Sequence, residues 1–285
     1  METELQPMTE LATPNGAARP VRHILSLSGG KDSTALAIYM RDRIPNLEYV
    51  FCDTEQELPE TYDYLKRLEV YLGKTITYLR HEGGGFEDLL KARRGFLPSP
   101  QVRWCTEYLK IKPFEKYVGE DQCISYVGIR ADEPQRKGYI STKPNITARY
   151  PFIEAGLIKE DIFRLLTNSG LGIPDYYQWR SRSGCYFCFF QQKIEWVGLL
   201  EQHPDLYKRA IAFERVDEQT GERYTWAAKE SLEELRNPDR IKEIKADHQR
   251  RTSTANKPSS NLTLAQVFDL EENGEIADGC LICHL

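Results

Sequence analysis

The sequence predicts an α/β protein with a doubly wound, mostly parallel sheet. The first observation is a short apolar run, His23 to Leu27, followed by a glycine turn and an apolar stretch of helical length. Short apolar runs recur at 47–52 and 75–79, and segments long enough for helices separate them. Strands that alternate with helices in this way are typical of βαβ units, whose strands pair in parallel.

The chain divides into four predicted segments. Residues 1–20 mix Pro, Gly, Thr and Glu without periodicity and are expected to form a flexible tail, and residues 21–155 carry the α/β pattern. Residues 156–250 have a helical pattern and are expected to form a cap with a Cys-x-x-Cys pair. Residues 251–285 are expected to form a second flexible tail with another Cys-x-x-Cys pair. The later predicted strands are 47–52, 75–79, 123–129 and a last strand at 149–153.

The bulk composition is that of an ordinary soluble protein. The chain has 285 residues, a formal net charge of −5 and 40% hydrophobic residues. It has no apolar run near the ~20 residues of a membrane span and no secretory pattern at its start, so a cytoplasmic protein without membrane contact is expected. A weakly acidic chain is a poor autonomous binder of DNA, because such binding depends on phosphate neutralisation.

The turn after the first strand has the features of a phosphate-binding loop. It reads S-G-G-K-D-S from Ser28 to Ser33. Its two glycines let the backbone approach a ligand, and the start of the following helix favours an anion. Lys31 adds a positive charge. The loop is not the common P-loop, because Asp32 stands where Ser or Thr would bind magnesium.

Two other polar groups follow predicted strands. Asp53 ends the second strand, where an acidic residue can accept a hydrogen bond from a ribose or an adenine amine, although an ordinary strand-end turn is the alternative. Arg130 and Arg136 follow Gly128 at the end of the fourth predicted strand. Arginines at the carboxyl end of a strand suit phosphate binding.

The loop resembles the PP-loop of the ATP pyrophosphatase, or adenine nucleotide alpha-hydrolase, superfamily at every position from Ser28 to Ser33. The resemblance implies that ATP is bound and cleaved to pyrophosphate while a substrate oxygen is adenylated. It also implies Mg²⁺, for which Asp32 is the candidate ligand, and catalytic roles for Lys31, Asp32 and Ser33. The complete predicted nucleotide site is Ser26, Ser28, Gly29, Gly30, Lys31, Asp32, Ser33, Asp53, Gly128, Arg130 and Arg136.

The cysteines suggest a metal centre. Cys185 and Cys188 form a Cys-x-x-Cys pair among aromatic residues, and Cys105 is a distant third thiol. Such a set suits a zinc site or three corners of an iron-sulfur cluster, and buried hydrophobic cysteines are the alternative. Cys280 or Cys283 could supply a fourth ligand. Cys52 and Cys123 lie within strand patterns and are expected in the core.

From His23 to about Phe190, the order of motifs is similar to that of the phosphoadenosine phosphosulfate (PAPS) reductase branch of the superfamily. The matches include the loop, the Trp104-Cys105 pair and Gly184-Cys185-x-x-Cys188. Cluster-bearing reductases of the branch have a Cys-Cys doublet where this chain has Cys105-Thr106. The resemblance therefore implies a 4Fe-4S cluster on three cysteines and an open iron.

A single cysteine at that position also resembles the PAPS-reductase-like component of bacterial DNA phosphorothioation systems. This resemblance implies sulfur insertion into a DNA backbone phosphate and a sulfur donor such as a cysteine desulfurase. Since the chain is acidic, contact with DNA is expected to run through partner subunits, and a homo-oligomer is also expected. Two alternatives remain open. One is a PAPS or adenylyl sulfate reductase that uses the C-terminal thiols, and the other is a non-catalytic nucleotide-binding regulator.

Overall fold

A computed structural model describes residues 20–136, 141–216, 221–227 and 230–255 of the chain. Its main strands are β1 (Arg22–Leu27), β2 (Leu47–Cys52), β3 (Ile76–Leu79), β4 (Cys123–Tyr126) and β5 (Ile146–Arg149). A small antiparallel pair is formed by β6 (Arg215–Val216) and β7 (Arg223–Tyr224). No helix of the described ranges is long and apolar enough to cross a membrane.

The five main strands form one parallel sheet in the order β3-β2-β1-β4-β5, which confirms the predicted fold class. His23 pairs with Leu47 on one side of β1 and with Ile124 on the other. The chain thus builds outward from β1 in one direction and then returns to its other side. The carboxyl ends of β1 and β4 border this switch point, where doubly wound folds bind their ligands.

Helices connect the strands and continue after them. The first group is α1 (Lys31–Met40), α2 (Pro59–Leu72), α3 (Phe86–Ala92), α4 (Trp104–Thr106), a π-helical turn (Glu107–Ile111) and α5 (Lys112–Val118). The second group is α6 (Pro151–Glu154), α7 (Lys159–Asn168), a 3-10 turn (Asp175–Gln178), α8 (Lys193–Gln202), α9 (Pro204–Phe213), α10 (Leu232–Leu235) and α11 (Pro238–Ala255).

Two strand predictions need correction. The segment 149–153 was expected to be a strand, but β5 ends at Arg149 and Pro151 opens helix α6. Proline has no N–H for a sheet ladder and is well tolerated in the first turn of a helix. The predicted strand 123–129 is shorter in the structure, since β4 ends at Tyr126 and the residues up to Ile129 are not in the ladder.

The buried apolar side chains form two large clusters. One lies between the sheet and its helices, and it includes Leu36 of α1 and Ile162 of α7. The other is rich in aromatic residues and joins Phe86 and Trp104 to Trp196 and Trp226 of the C-terminal half. Burial of such large side chains contributes about 1.5–3 kcal/mol each. The second cluster therefore fixes the C-terminal helices against the loops at the carboxyl edge of the sheet.

Candidate nucleotide site and cysteine region

The loop from Ser28 to Ser33 connects β1 to α1 at the switch point. Gly29 has a φ of +70°, and a Cβ there would lie 2.4 Å from Cγ2 of Thr61. At Gly30 a Cβ would lie 2.6 Å from Oγ of Ser183. Both glycines are therefore required by close packing, and Gly29 also by a backbone conformation that L-residues rarely adopt.

The Ser33 side chain holds the loop in shape. Its hydroxyl accepts a hydrogen bond from the Ser28 backbone N–H at 3.1 Å and donates one to the Gly30 carbonyl at 3.2 Å. It also lies 3.0 Å from the Ser28 hydroxyl. Ser33 is buried, with 1% of its surface exposed. These contacts indicate that Ser33 organises the turn around the predicted phosphate site.

Three residues of the C-terminal half complete the loop. The Tyr176 hydroxyl donates to the Gly29 carbonyl at 2.8 Å, and the Lys31 backbone N–H donates to the Tyr177 hydroxyl at 3.1 Å. The Ser183 hydroxyl donates to Ser28 Oγ at 3.1 Å. Sequence reasoning missed all three, because no local motif places the segment 176–183 beside the loop.

A line of alternating charges runs from the loop to the end of β4. Lys31 Nζ lies 3.4 Å from the Asp32 carboxylate, and Asp32 lies 3.1 Å from Nη1 of Arg130. Burial alone would lower the pKa of Arg130, but Asp32 and its other carboxylate neighbours raise it above the usual value. A Cβ at Gly128 would lie 3.1 Å from the Asp32 carbonyl oxygen, so the segment that follows β4 approaches α1 closely here. The structure thus brings together Lys31, Asp32, Gly128 and Arg130, four residues of the predicted nucleotide site, whose ligand roles stay predictions.

Other predicted nucleotide residues are engaged within the protein. The Asp53 carboxylate accepts hydrogen bonds from the Tyr62 hydroxyl at 2.8 Å and from Arg80 at 2.7 and 2.9 Å. Arg136 pairs at 2.7 Å with Glu133, which also pairs with Arg130 at 3.2 Å. Both side chains thus have partners within the protein, and the proposed contacts of Asp53 and Arg136 with a nucleotide stay predictions.

Ser26 lies within β1, close to the start of the loop. Only 3% of its surface is exposed, and its hydroxyl finds no hydrogen-bond partner among the described residues. A buried hydroxyl without a partner is uncommon and calls for an explanation, such as a ligand or an ordered water. Its nucleotide role also stays a prediction.

Two of the three predicted metal ligands, Cys105 and Cys185, pack against the aromatic cluster, and the Cys188 backbone N–H donates to the Cys185 carbonyl at 3.0 Å. Cys185 Sγ lies 3.1 Å from the Thr54 hydroxyl and 3.8 Å from the Glu57 carboxylate. Burial raises the pKa of the Cys185 thiol well above its usual value, and the charge of Glu57 adds to the effect. Burial also raises the pKa of the Cys105 thiol to about 11, with a further contribution from Cys188.

A buried carboxylate, Glu57, and a half-buried lysine, Lys110, lie beside these thiols. Burial raises the pKa of Glu57, and Lys110 opposes that change. Burial alone would lower the pKa of Lys110, but Glu57 and Cys185 raise it above the usual value. One oxygen of Glu57 is buried without a hydrogen-bond partner in the described part of the chain. The region is therefore polar inside an aromatic shell.

The comparison with protein families decides the classification. The family model of the phosphoadenosine phosphosulfate reductase domain matches residues 22–188, which is more than half of the chain. The chain belongs to this family. The match begins with β1 and ends at the second cysteine of the Cys-x-x-Cys pair. It therefore includes the loop, the charged line and all three predicted metal ligands.

Relatives of the chain come from archaea and phages. An uncharacterized protein of Methanocaldococcus jannaschii is 25% identical over 197 residues, which cover 65% of this chain and 46% of that protein. The uncharacterized nin region protein ORF290 of Escherichia phage lambda is 27% identical over 209 residues, which cover 62% of this chain and 68% of that protein. The chain spans less than half the length of the archaeal relatives that it matches.

A solved structure of the same family is also similar. The phosphoadenylyl-sulfate reductase of Candida auris, in a phosphate complex, superposes with a TM-score of 0.46 at 14% identity. The superposition covers 57% of this chain and 81% of that one.

Family membership does not supply a metal site by itself. Among the residues that the structure describes, no three Cys, His, Asp or Glu side chains are grouped so that they could hold a metal ion. Cys280 and Cys283, the predicted fourth ligands, lie outside the described residues. Cys52 and Cys123 are buried in their strands, as expected. The described residues therefore give the predicted 4Fe-4S cluster no ligand set.

Proposed function

We propose that this member of the PAPS reductase family is an ATP pyrophosphatase that adenylates a substrate oxygen. The proposal rests on the loop at the switch point. There Lys31, Asp32 and Arg130 form a line of alternating charges, and neighbouring charged groups lie 3.4 and 3.1 Å apart. A site of this kind has the donors and the positive charge to hold a triphosphate, and the family uses adenine nucleotides.

The proposed reaction needs positioning more than covalent chemistry from the protein. The acceptor oxygen attacks the α-phosphorus of ATP, the bond to the α,β-bridging oxygen breaks, and pyrophosphate leaves with that electron pair. The N–H groups at the start of α1 and the Lys31 ammonium stabilise the charge that develops on the leaving group. Ser33 keeps the turn in the geometry that this requires.

Magnesium fits the loop through one residue. Mg²⁺ is usually bound by one or two carboxylates together with phosphate oxygens and waters, and Asp32 supplies a carboxylate at the loop. When bound, the ion would neutralise the charge of the triphosphate. Arg130 holds Asp32 in place from the β4 side.

The finer proposal concerns the fate of the adenylated product. We propose that sulfur then attacks the adenylated phosphorus of a DNA backbone phosphate, so that a P–S bond forms while the P–O bond to AMP breaks and AMP leaves. A cysteine desulfurase is the kind of donor, and a thiol reductant cleaves the S–S bond of the persulfide that such a donor delivers. The support is the resemblance of the motif order, and the grouping of Cys105 and Cys185 with the aromatic cluster. A reductase would instead consume PAPS without ATP.

Pyrophosphate release tests the proposal. With ATP and Mg²⁺, the Lys31→Ala variant should release pyrophosphate about 10²–10³-fold more slowly than the natural chain, because it lacks the charge that faces the leaving group. Lys66→Ala is the control, since Lys66 is exposed on α2 and pairs only with Asp63 in the described structure. Equal rates in the two variants would contradict the proposal. Consumption of PAPS in the absence of ATP would identify a reductase.

A further inference from the structure

A cationic and aromatic patch lies beside the cysteine region, on the surface of the aromatic cluster. It consists of Arg93, Arg94, Phe96, Arg215 and Tyr224, and it is called the 93–96 patch below. The Arg215 guanidinium lies over the Tyr224 ring at 4.6 Å, and Phe96 meets the same ring edge-on at 5.8 Å. A Cβ at position 95 would lie 3.1 Å from Nε of Arg215, so β6 packs against the loop after α3.

The arginines of the patch have no acidic partner in the part of the chain that the structure describes. Among the described residues, no ion pair joins Arg93, Arg94 or Arg215 to an acidic side chain, whereas nearby Lys112, Arg209 and Arg223 each have one. Two nearby acidic groups among the described residues have other partners, since Glu107 pairs with Lys112 and Glu222 accepts from the Tyr224 hydroxyl. The patch therefore holds three arginines without an acidic partner among the described residues, in a chain of net charge −5.

Arg94 stands in an unfavourable backbone conformation. Its φ is +52°, and only Glu55 shares a positive φ among the described non-glycine residues. Glycine would adopt this conformation without the steric cost that an arginine incurs. Its side chain is exposed, so no buried contact explains the choice. Strain of this kind is often found at functional positions.

The patch continues to a predicted metal ligand. The Arg93 guanidinium lies 4.9 Å from the Trp104 ring centre and 4.6 Å from that of Tyr108. Trp104 precedes Cys105 in helix α4. Phe96 is 39% exposed, which leaves an aromatic surface accessible beside these cations.

We propose that the 93–96 patch binds a single strand of nucleic acid and leads it to the cysteine region. The arginines would contact backbone phosphates, and the exposed aromatic surface would stack on unpaired bases, which is how sequence-tolerant single-strand sites are built. The inference rests on the proposed function in one respect, because it identifies the strand as the substrate that is adenylated. Binding of the strand itself requires no ATP.

Fluorescence anisotropy with labelled dT20 and rU20 oligonucleotides, without ATP, tests this inference. The double variant R94G/R215Q should raise Kd about tenfold at low salt. The slope of log K against log salt should become shallower by about 0.7 for each phosphate that the variant no longer neutralises. R94G alone should keep or raise Tm, because glycine relieves the strain, and should still weaken binding. Weaker binding at unchanged stability separates recognition from folding.

A matched control removes the same charge elsewhere. K66Q/K159Q neutralises two exposed lysines on α2 and α7, which pack on the sheet rather than on the aromatic cluster. If this control weakens binding as much as R94G/R215Q, or if the natural chain binds neither oligonucleotide, the inference is wrong.

Equal affinity for a duplex would also overturn the inference, because paired bases cannot stack on Phe96. The preferred strand assigns the acceptor to DNA or to RNA. Pyrophosphate release is measured separately, so failure of one proposal does not decide the other.

Discussion

The loop and the cysteine region both lie in the segment that matches the family model. They differ in whether the described residues of each region contact one another as the sequence predicts. In the loop, the turn is held by contacts within the chain, including the 3.0 Å contact between the Ser28 and Ser33 hydroxyls. In the cysteine region, Cys185 instead contacts Thr54 and Glu57, and no three ligands are grouped among the described residues. The difference teaches that a turn formed from backbone and short side chains is set by the fold alone, whereas metal ligands are commonly brought together only when the metal binds.

Metal analysis is the most direct test of this difference between the loop and the cysteine region. The sequence prediction expects iron and acid-labile sulfide near one cluster per chain after anaerobic purification, and complete loss of both in Cys185→Ser. Cys123→Ala is the control, because Cys123 is a core residue of β4 and should leave iron unchanged. Zinc alone, or no metal in the natural chain, would contradict the cluster. Iron that survives in Cys185→Ser would mean that the ligands lie elsewhere.

The tight packing of the loop predicts the next largest effect. Gly29→Ala should slow pyrophosphate release about tenfold or more and destabilise the fold by about 1–3 kcal/mol, because the new methyl group would overlap Thr61 and the backbone would be strained. Gly73→Ala is a matched control with a φ of +63° and nothing within 4 Å of the added atom. It should show only the strain and no loss of activity. Equal effects in both variants would show that packing against Thr61 is unimportant.

The contact from the C-terminal half predicts a moderate effect. Tyr176→Phe leaves the buried Gly29 carbonyl without its donor, which should cost about 1–2 kcal/mol of unfolding free energy and weaken ATP binding. Tyr207→Phe removes a hydrogen bond of the same kind, to the Leu232 carbonyl at 2.7 Å, away from the loop. Chemical denaturation should report similar losses for the two variants. ATP titration should separate them, and an equal ATP affinity would refute the role of Tyr176 at the loop.

These contacts show what the sequence could and could not predict. The loop was predictable because Ser28 to Ser33 carry its chemistry within six consecutive residues. Arg130 was predictable because it follows a strand, and the carboxyl ends of parallel strands meet at one edge. Tyr176 was not predictable, since it reaches Gly29 across 147 residues through tertiary packing. The strain at Arg94 was also hidden, because a backbone angle leaves no pattern in the residues around it.

The smallest expected effect concerns His23, near the start of β1 and away from the loop. A substitution there should change the stability of the fold without changing the loop. Burial lowers the pKa of His23, and Arg149 adds to the effect. The unfolded chain therefore binds a proton near pH 6.5 that the folded chain resists, so stability falls as the pH decreases through and below this value. His23→Gln removes that titration and can still contact the Tyr126 hydroxyl, which lies 2.8 Å from Nδ1 of His23. Unfolding free energies between pH 5 and 8 should fall less steeply in acid for the variant, with no change in pyrophosphate release at pH 8. A variant that follows the natural chain at every pH would show that His23 does not contribute to the acid response, and altered turnover would show that the loop depends on the whole strand.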